Sequence, residues 1–202
     1  MRLSRILVLF LALPASAVTV DRVAARIDQQ VLTVSEINQM REIRFFPTQD
    51  PHEILDALIA QALRFRDVER FGSQDIAKDS IETRLGEIQK RFASPAEFAA
   101  AVAHAELTMD EVRALVKREL QVEAYIQERF APMIFVSNED IETMYKGAWA
   151  QQRRQRGLPI PPLPEVQDEI RTLIRSRQLQ TQIDTWTAQL RARANVDVYA
   201  WR

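Results

Sequence analysis

The chain has 202 residues, a formal net charge of −1, a mean hydropathy of −0.23 and no cysteine, with 47% hydrophobic and 27% charged residues. That balance excludes a disulfide-stapled fold and gives no pull towards nucleic acid or an acidic membrane, while the length suffices for one or two modest cores. Only 4 glycines favour helices over a turn-rich β architecture.

Arg2 and Arg5 precede an uninterrupted apolar run at 6–13, and Pro14, Ala15, Ser16 and Ala17 close it with small residues in the A-x-A pattern. Basic start, apolar middle and small exit read as a signal peptide, residues 1–17, cleaved after Ala17. The apolar run is about half the ~20 residues of a spanning helix, so stable membrane insertion is not expected. Without cysteine there is no lipid-modified cysteine at the cleavage point, and the chain suits an oxidising compartment.

Next comes a half-buried hairpin. Val23, Ala25 and Ile27 alternate with Ala24, Arg26 and Asp28, a turn follows at Asp28, Gln29 and Gln30, and β-branched residues resume at 31–34. Ser35 is expected to cap the first helix, with Glu36 at the positive end of its dipole. A two-stranded ribbon is marginal in water, so its apolar face needs a partner elsewhere in the chain.

The first helix is expected to run through Met40 and Ile43 and to stop before Phe46 and Pro47. From Pro51, the residues Ile54, Leu55, Leu58, Ile59, Ala62 and Leu63 form a broad apolar face, and Gly72 is placed to end that helix. Asp75 or Asp79 is expected to cap a helix carrying Ile81, Leu85, Ile88 and Phe92. Ser94 with Glu97 reads as a capping box with Pro95 at the first helical position, opening a short helix that buries Phe98 and Val102. Thr108 with Glu111 opens a longer helix with Val112, Leu115, Val116, Leu120, Val122, Ile126 and Phe130 on its apolar face, and Pro132 stops it. Ile134, Phe135 and Val136 form a short extended segment, after which Ser137 caps a helix with Ile141, Met144, Tyr145 and Trp149.

Residues 151–164 read as a stiff, exposed linker, polar and basic at first and then holding Pro159, Pro161, Pro162 and Pro164. Its arginines, Arg153, Arg154 and Arg156, belong either to a solvated connector or to a phosphate or lipid-headgroup contact. A long helix is expected over 165–194, with Val166, Ile170, Leu173, Ile174, Ile183, Trp186 and Leu190 along one side, and a last strand at 196–199. That strand is the partner the hairpin needs. The fold class is mostly α with a small antiparallel β element. A core at 18–150 is followed by the linker, and the helix and strand of 165–202 pack back to complete the hairpin in one intertwined domain.

Enzyme chemistry finds no footing in these residues. There is no thiol nucleophile, no G-x-S-x-G, no Gly-rich phosphate loop and no H-E-x-x-H. His52 and His104 lie far apart and read as surface residues rather than metal ligands. The carboxylate pairs Asp110 with Glu111 and Glu139 with Asp140 sit in first helical turns, where capping explains them. No cofactor is implied.

The order of these parts resembles the N-terminal domain of SurA-type periplasmic chaperones. Carrying the resemblance are the hairpin at 20–27 with 31–36, the helix at 55–72, residues 107–130, the step Val136, Ser137, Glu139, Ile141 and Tyr145, and the closing Trp186, Leu190 and 196–199. In such chaperones a parvulin-type isomerase domain of roughly one hundred residues, ordinary for a domain, sits between the Tyr145 helix and the C-terminal helix. Here only residues 146–164 stand there, so the resemblance implies the chaperone core without the isomerase: a module that holds unfolded outer-membrane or secreted polypeptides in the periplasm.

Such a holder needs apolar surface beyond its own core, shaped as a groove and rimmed by charge, with methionines and aromatics that repack around different clients. The candidates, all near helix breaks, are Met40, Phe45, Phe46, Met133, Phe135, Met144 and Trp149. The alternative is a non-catalytic interaction subunit or homodimer whose apolar surface is covered by one dedicated partner. A prolyl isomerase is the third reading, for which no activity is expected.

Overall fold

The computed structural model describes residues 21–72 and 74–201, so the expected leader lies outside the described residues. The hairpin is β1 (Val23–Ile27) and β2 (Gln30–Thr33), reversing at Asp28, whose φ of 53° is left-handed. Aspartate tolerates that region because its short polar side chain bonds locally. Here it also reaches the far end of the chain: its carboxylate accepts the Asn195 N–H at 2.9 Å and pairs with Arg66, while its own N–H donates to the Asn195 carbonyl at 2.8 Å. The third strand, β3 (Val196–Val198), lies antiparallel to β1 with Ile27 opposite Val196 and Ala25 opposite Val198, which gives the order β2-β1-β3. Strict alternation fails at one place. A bulge between Val23 and Ala25 turns both Ala24 and Ala25 inward and leaves Val23 exposed, because the extra residue shifts the pleat.

The first helix, α1 (Val34–Glu42), starts earlier than expected, and its cap is Thr33 instead of Ser35. Glu36 decides the matter: a capping box needs its acid three residues after the cap. The Thr33 hydroxyl accepts the Glu36 N–H, and the Glu36 carboxylate accepts the Thr33 N–H at 2.7 Å. Asp50 caps α2 (Pro51–Phe71), with Pro51 at its start and Gly72 at φ 98° just past its end, as the spacing implied. Neither Asp75 nor Asp79 caps α3 (Lys78–Gln89). Its cap residue is Ala77, with no side-chain bond, while Asp75 faces Lys117 at 3.3 Å and Asp79 lies in the first turn.

At α4 (Pro95–His104) Ser94 accepts the Glu97 N–H, but the Glu97 carboxylate takes the Ala93 N–H instead of that of Ser94, so the box forms by half. Thr108 and Glu111 form a complete box for α5 (Met109–Arg129). Ile27, Leu32, Ile37, Ile54, Ile59, Phe98, Val112 and Val116 bring the sheet and these helices into one core.

Beyond α5 the chain makes a single 3-10 turn at Ala131–Met133 and enters α6 (Asn138–Met144) through a complete Ser137–Asp140 box. The stretch Tyr145–Trp149 carries it into α7 (Ala150–Gln155) across a kink at Gly147, whose φ of −96° and ψ of −112° are not helical, so residues 151–155 are helical instead of linker. The last helix, α8 (Leu163–Arg193), begins ahead of the expected 165 because a proline in a first helical turn lacks only an N–H that would be unbonded anyway. At 31 residues it is about 46 Å long.

This helix serves two cores. Val166, Ile170 and Ile174 on its first half pack with Ile141, Trp149 and Ala150, apart from the first core. Trp186 and Leu190 on its second half join the first core, where the Trp186 ring meets Tyr125 at 5.5 Å and Phe130 at 5.3 Å, and its Nε1–H donates to Asp67 at 3.0 Å. The C-terminal helix and strand therefore complete the N-terminal hairpin, and the same helix also organises a second, smaller lobe.

Candidate polypeptide-binding surface

Seven residues were expected to meet clients, and the structure separates them by exposure. Met40, Phe45 and Trp149 are each 4% exposed and belong to the cores. Met40 and Phe45 close the end of α1: Arg44 takes φ 49°, the Phe45 N–H bonds to the Met40 carbonyl at 2.9 Å, and both side chains lie in the first core. Phe46 is half-buried edge-on to Phe45, with ring centroids at 5.2 Å. Trp149 donates to Glu169 at 3.1 Å and stacks on Tyr145, and Met144 lies half-buried beside that second core.

Met133 and Phe135 stand out by contrast, at 62% and 81% exposed. Their loop is held along its backbone. The Met133 N–H bonds to the Phe130 carbonyl at 3.0 Å, the Ile134 N–H to that of Ala131, and Arg175 of α8 reaches the Ala131 carbonyl at 3.3 Å. Val136 leans on the second core. Met133 is thus presented on a pinned turn, and the Phe135 ring stands one residue beyond it, between that turn and Val136. Phe71, 63% exposed, joins this list although it was not among the expected residues. It sits three residues after the buried Val68, on the same stripe, where α2 outruns the core. Arg129, in the last turn of α5, lies 5.8 Å from its ring.

A groove of about 280 Å³ runs beside β2, floored by Leu32, Leu58, Ala62, Phe65 and Leu115. Arg66 and Arg118 lie along it, Arg118 over the Phe65 ring at 5.5 Å. A larger groove of about 570 Å³ between α2 and the end of α8 is walled mainly by charged residues, Arg66, Asp67, Arg70 and Arg193 among them.

Titratable groups point to structure. Asp28 is held below the ordinary carboxylate range, first by the Asn195 amide and then by Arg66. Hydrogen bonds to the Thr108 and Ser137 caps do the same for Glu111 and Asp140. Glu119 is pushed up by burial, against the pull of Arg84. His52 lies against the Trp201 ring at 4.9 Å and the exposed His104 is 3.4 Å from Glu42. Among the described residues no three His, Cys, Asp or Glu side chains are grouped to hold a metal ion, and no helix is long and apolar enough to cross a membrane.

The fold and this surface define a class: a two-lobed, mostly helical protein with a small closing sheet and pinned apolar side chains turned to solvent. No family model matches the chain. Curated relatives do, and all of those matched are named chaperone SurA: 30% identity over 143 residues in Pseudomonas syringae pv. tomato, 30% over 148 residues in Pseudomonas fluorescens and 24% over 149 residues in Saccharophagus degradans, covering 65%, 66% and 68% of this chain. The chain spans about a third of the length of these relatives, 33% to 34%. The resemblance to SurA-type chaperones that the order of elements implied is therefore matched by direct sequence identity.

Proposed function

We propose that the protein is an ATP-independent periplasmic chaperone that holds unfolded outer-membrane or secreted polypeptides and has no prolyl isomerase activity. The observation that carries this reading is the exposure of Met133 and Phe135 at a turn whose backbone is bonded from Ala131 to Ile134. A folded chain gains nothing from leaving such side chains in water, whereas a holder uses them as weak, adaptable contacts. The relatives named chaperone SurA support it, as does the apolar-floored groove beside β2, which suits an extended segment with alternate side chains.

The test is aggregation of an unfolded outer-membrane protein diluted from denaturant. Wild type is expected to suppress it at near-stoichiometric ratio. Met133→Ser with Phe135→Ser is expected to keep the thermal midpoint, since exposed substitutions stay within about 0.5 kcal/mol, and to lose most of the suppression. Equal aggregation with and without the protein overturns the reading. A prolyl-peptide assay at catalytic concentration is expected to show no acceleration. The rival reading, one dedicated partner or a homodimer, has to cover Met133 and Phe135, because Phe45 is already covered by its own chain. Sizing of the purified protein separates the two.

A further inference from the structure

The stretch between α7 and α8 is tied down along one side and bare along another. Gly157, at φ 66°, turns the chain out of α7, and the Leu158 N–H bonds back to the Arg153 carbonyl at 2.9 Å. The Arg153 guanidinium lies 4.8 Å from the Trp149 ring and donates to the Pro159 carbonyl at 2.7 Å, and the Tyr145 hydroxyl donates to the Pro161 carbonyl at 2.9 Å. Pro162 has φ −54° and ψ 144°, in the polyproline II region, and its neighbours Pro159 and Pro161 hold φ near −65° by their rings.

A polyproline II helix has three residues per turn, so residues three apart share an edge. Pro159 and Pro162, three apart, are exposed, while Ile160 packs against the second core, Pro161 is half-buried, and Leu163, already the first residue of α8, also packs inward. Leu158, 44% exposed, precedes Pro159, and Pro161 precedes Pro162. The stretch therefore offers two x-Pro ridges separated by a spacer, Ile160, that turns inward onto its own protein. Arg154 and Arg156 stand exposed at its N-terminal end and make no ion pair among the described residues.

We propose that residues 154–164 form a docking strip for a second protein: a domain that takes up a polyproline II helix in an aromatic-walled groove with acidic side chains at one end. The prolines fix the strip before the partner arrives, which lowers the ordering cost of association. The two exposed guanidinium groups supply the charge that sets its direction. An anionic membrane would require the arginines alone and would be indifferent to the threefold pattern. Neither Met133 nor Phe135 is part of the strip, so it stands independently of the holding activity.

The test titrates the intact protein against a panel of purified SH3 domains, with phosphatidylglycerol vesicles as the membrane arm. At least one domain is expected to bind wild type, to lose ten-fold or more in affinity with Pro159→Ala and Pro162→Ala together, and to lose as much with Arg154→Glu and Arg156→Glu together. Met133→Ser with Phe135→Ser is expected to bind as wild type. Circular dichroism checks the fold of each variant; should the proline pair alter it, the arginine pair decides alone. The proposal is overturned if no domain binds, if a folded proline pair or the arginine pair binds as wild type, or if the vesicles bind in an arginine-dependent way while no domain does.

Discussion

Aspartate at φ 53° tolerates a backbone that alanine resists, and at position 28 it also bonds a residue 167 positions away. Asp28→Asn keeps a residue suited to left-handed backbone and an oxygen able to accept from Asn195, but it loses the charge facing Arg66. Asp28→Ala loses all three. Thermal midpoints at pH 7 are expected to be highest for wild type, lower for Asp28→Asn and lowest for Asp28→Ala. Because the folded state lowers the Asp28 pKa, its charge contributes fully above the unfolded value of about 4. That contribution is lost as the pH falls through the lowered folded value. The gap between wild type and Asp28→Asn should therefore close in acid, and a gap that persists at about pH 2, well below that unfolded value, would assign the effect to the backbone instead. Exposure of the candidate residues was legible in one respect. Met40 follows Ile37 by three, so it extends a helical stripe and is buried, whereas Met133 and Phe135 lie outside any periodic run and stay in water.

Helix starts were more legible than helix ends. Thr108 and Ser137 announced their boxes through an acid three residues on, and the same rule applied consistently would have selected Thr33 over Ser35. Three ends reverse through a left-handed residue with a six-to-one bond: Phe45 to Met40, Leu107 to Val102 and Leu158 to Arg153. Only the last uses glycine, Gly157. The others place Arg44 and Glu106 at positive φ, so no residue type marked them. The kink at Gly147 was hidden as well, since the apolar residues Met144, Tyr145 and Trp149 continue across it. At this scale the attachment of α8 to α2 and α5 rests on Trp186. Trp186→Ala removes an aromatic side chain from the first core and leaves Asp67 without its indole donor, and is expected to cost roughly 3–5 kcal/mol in denaturant unfolding. Hydrogen exchange should then show β3 losing protection along with the second half of α8.

Two cores strung on one long helix make a molecule whose lobes differ in size and in what each can lose. The order of elements and the return of the tail to the hairpin were readable, because apolar periodicity and an unpaired ribbon demand them. The division into lobes was not, since an apolar stripe from Val166 to Leu190 looks the same whether it faces one core or two. Ile170, fully buried in the smaller core, separates them by experiment. Ile170→Ala is expected to cost about 2–5 kcal/mol locally. Exchange protection should fall in α6, α7 and the first half of α8 and be kept in α2 and α5; a uniform loss would mean that the lobes unfold as one. The position of β1 between β2 and β3 has a consequence in time. At roughly 5–20 residues per second of synthesis, the middle strand emerges on the order of 10–30 s before the strand that seals its open side. During that interval the nascent protein carries uncovered apolar surface of the kind it is proposed to shield in others, and its own folding must wait for β3 to arrive.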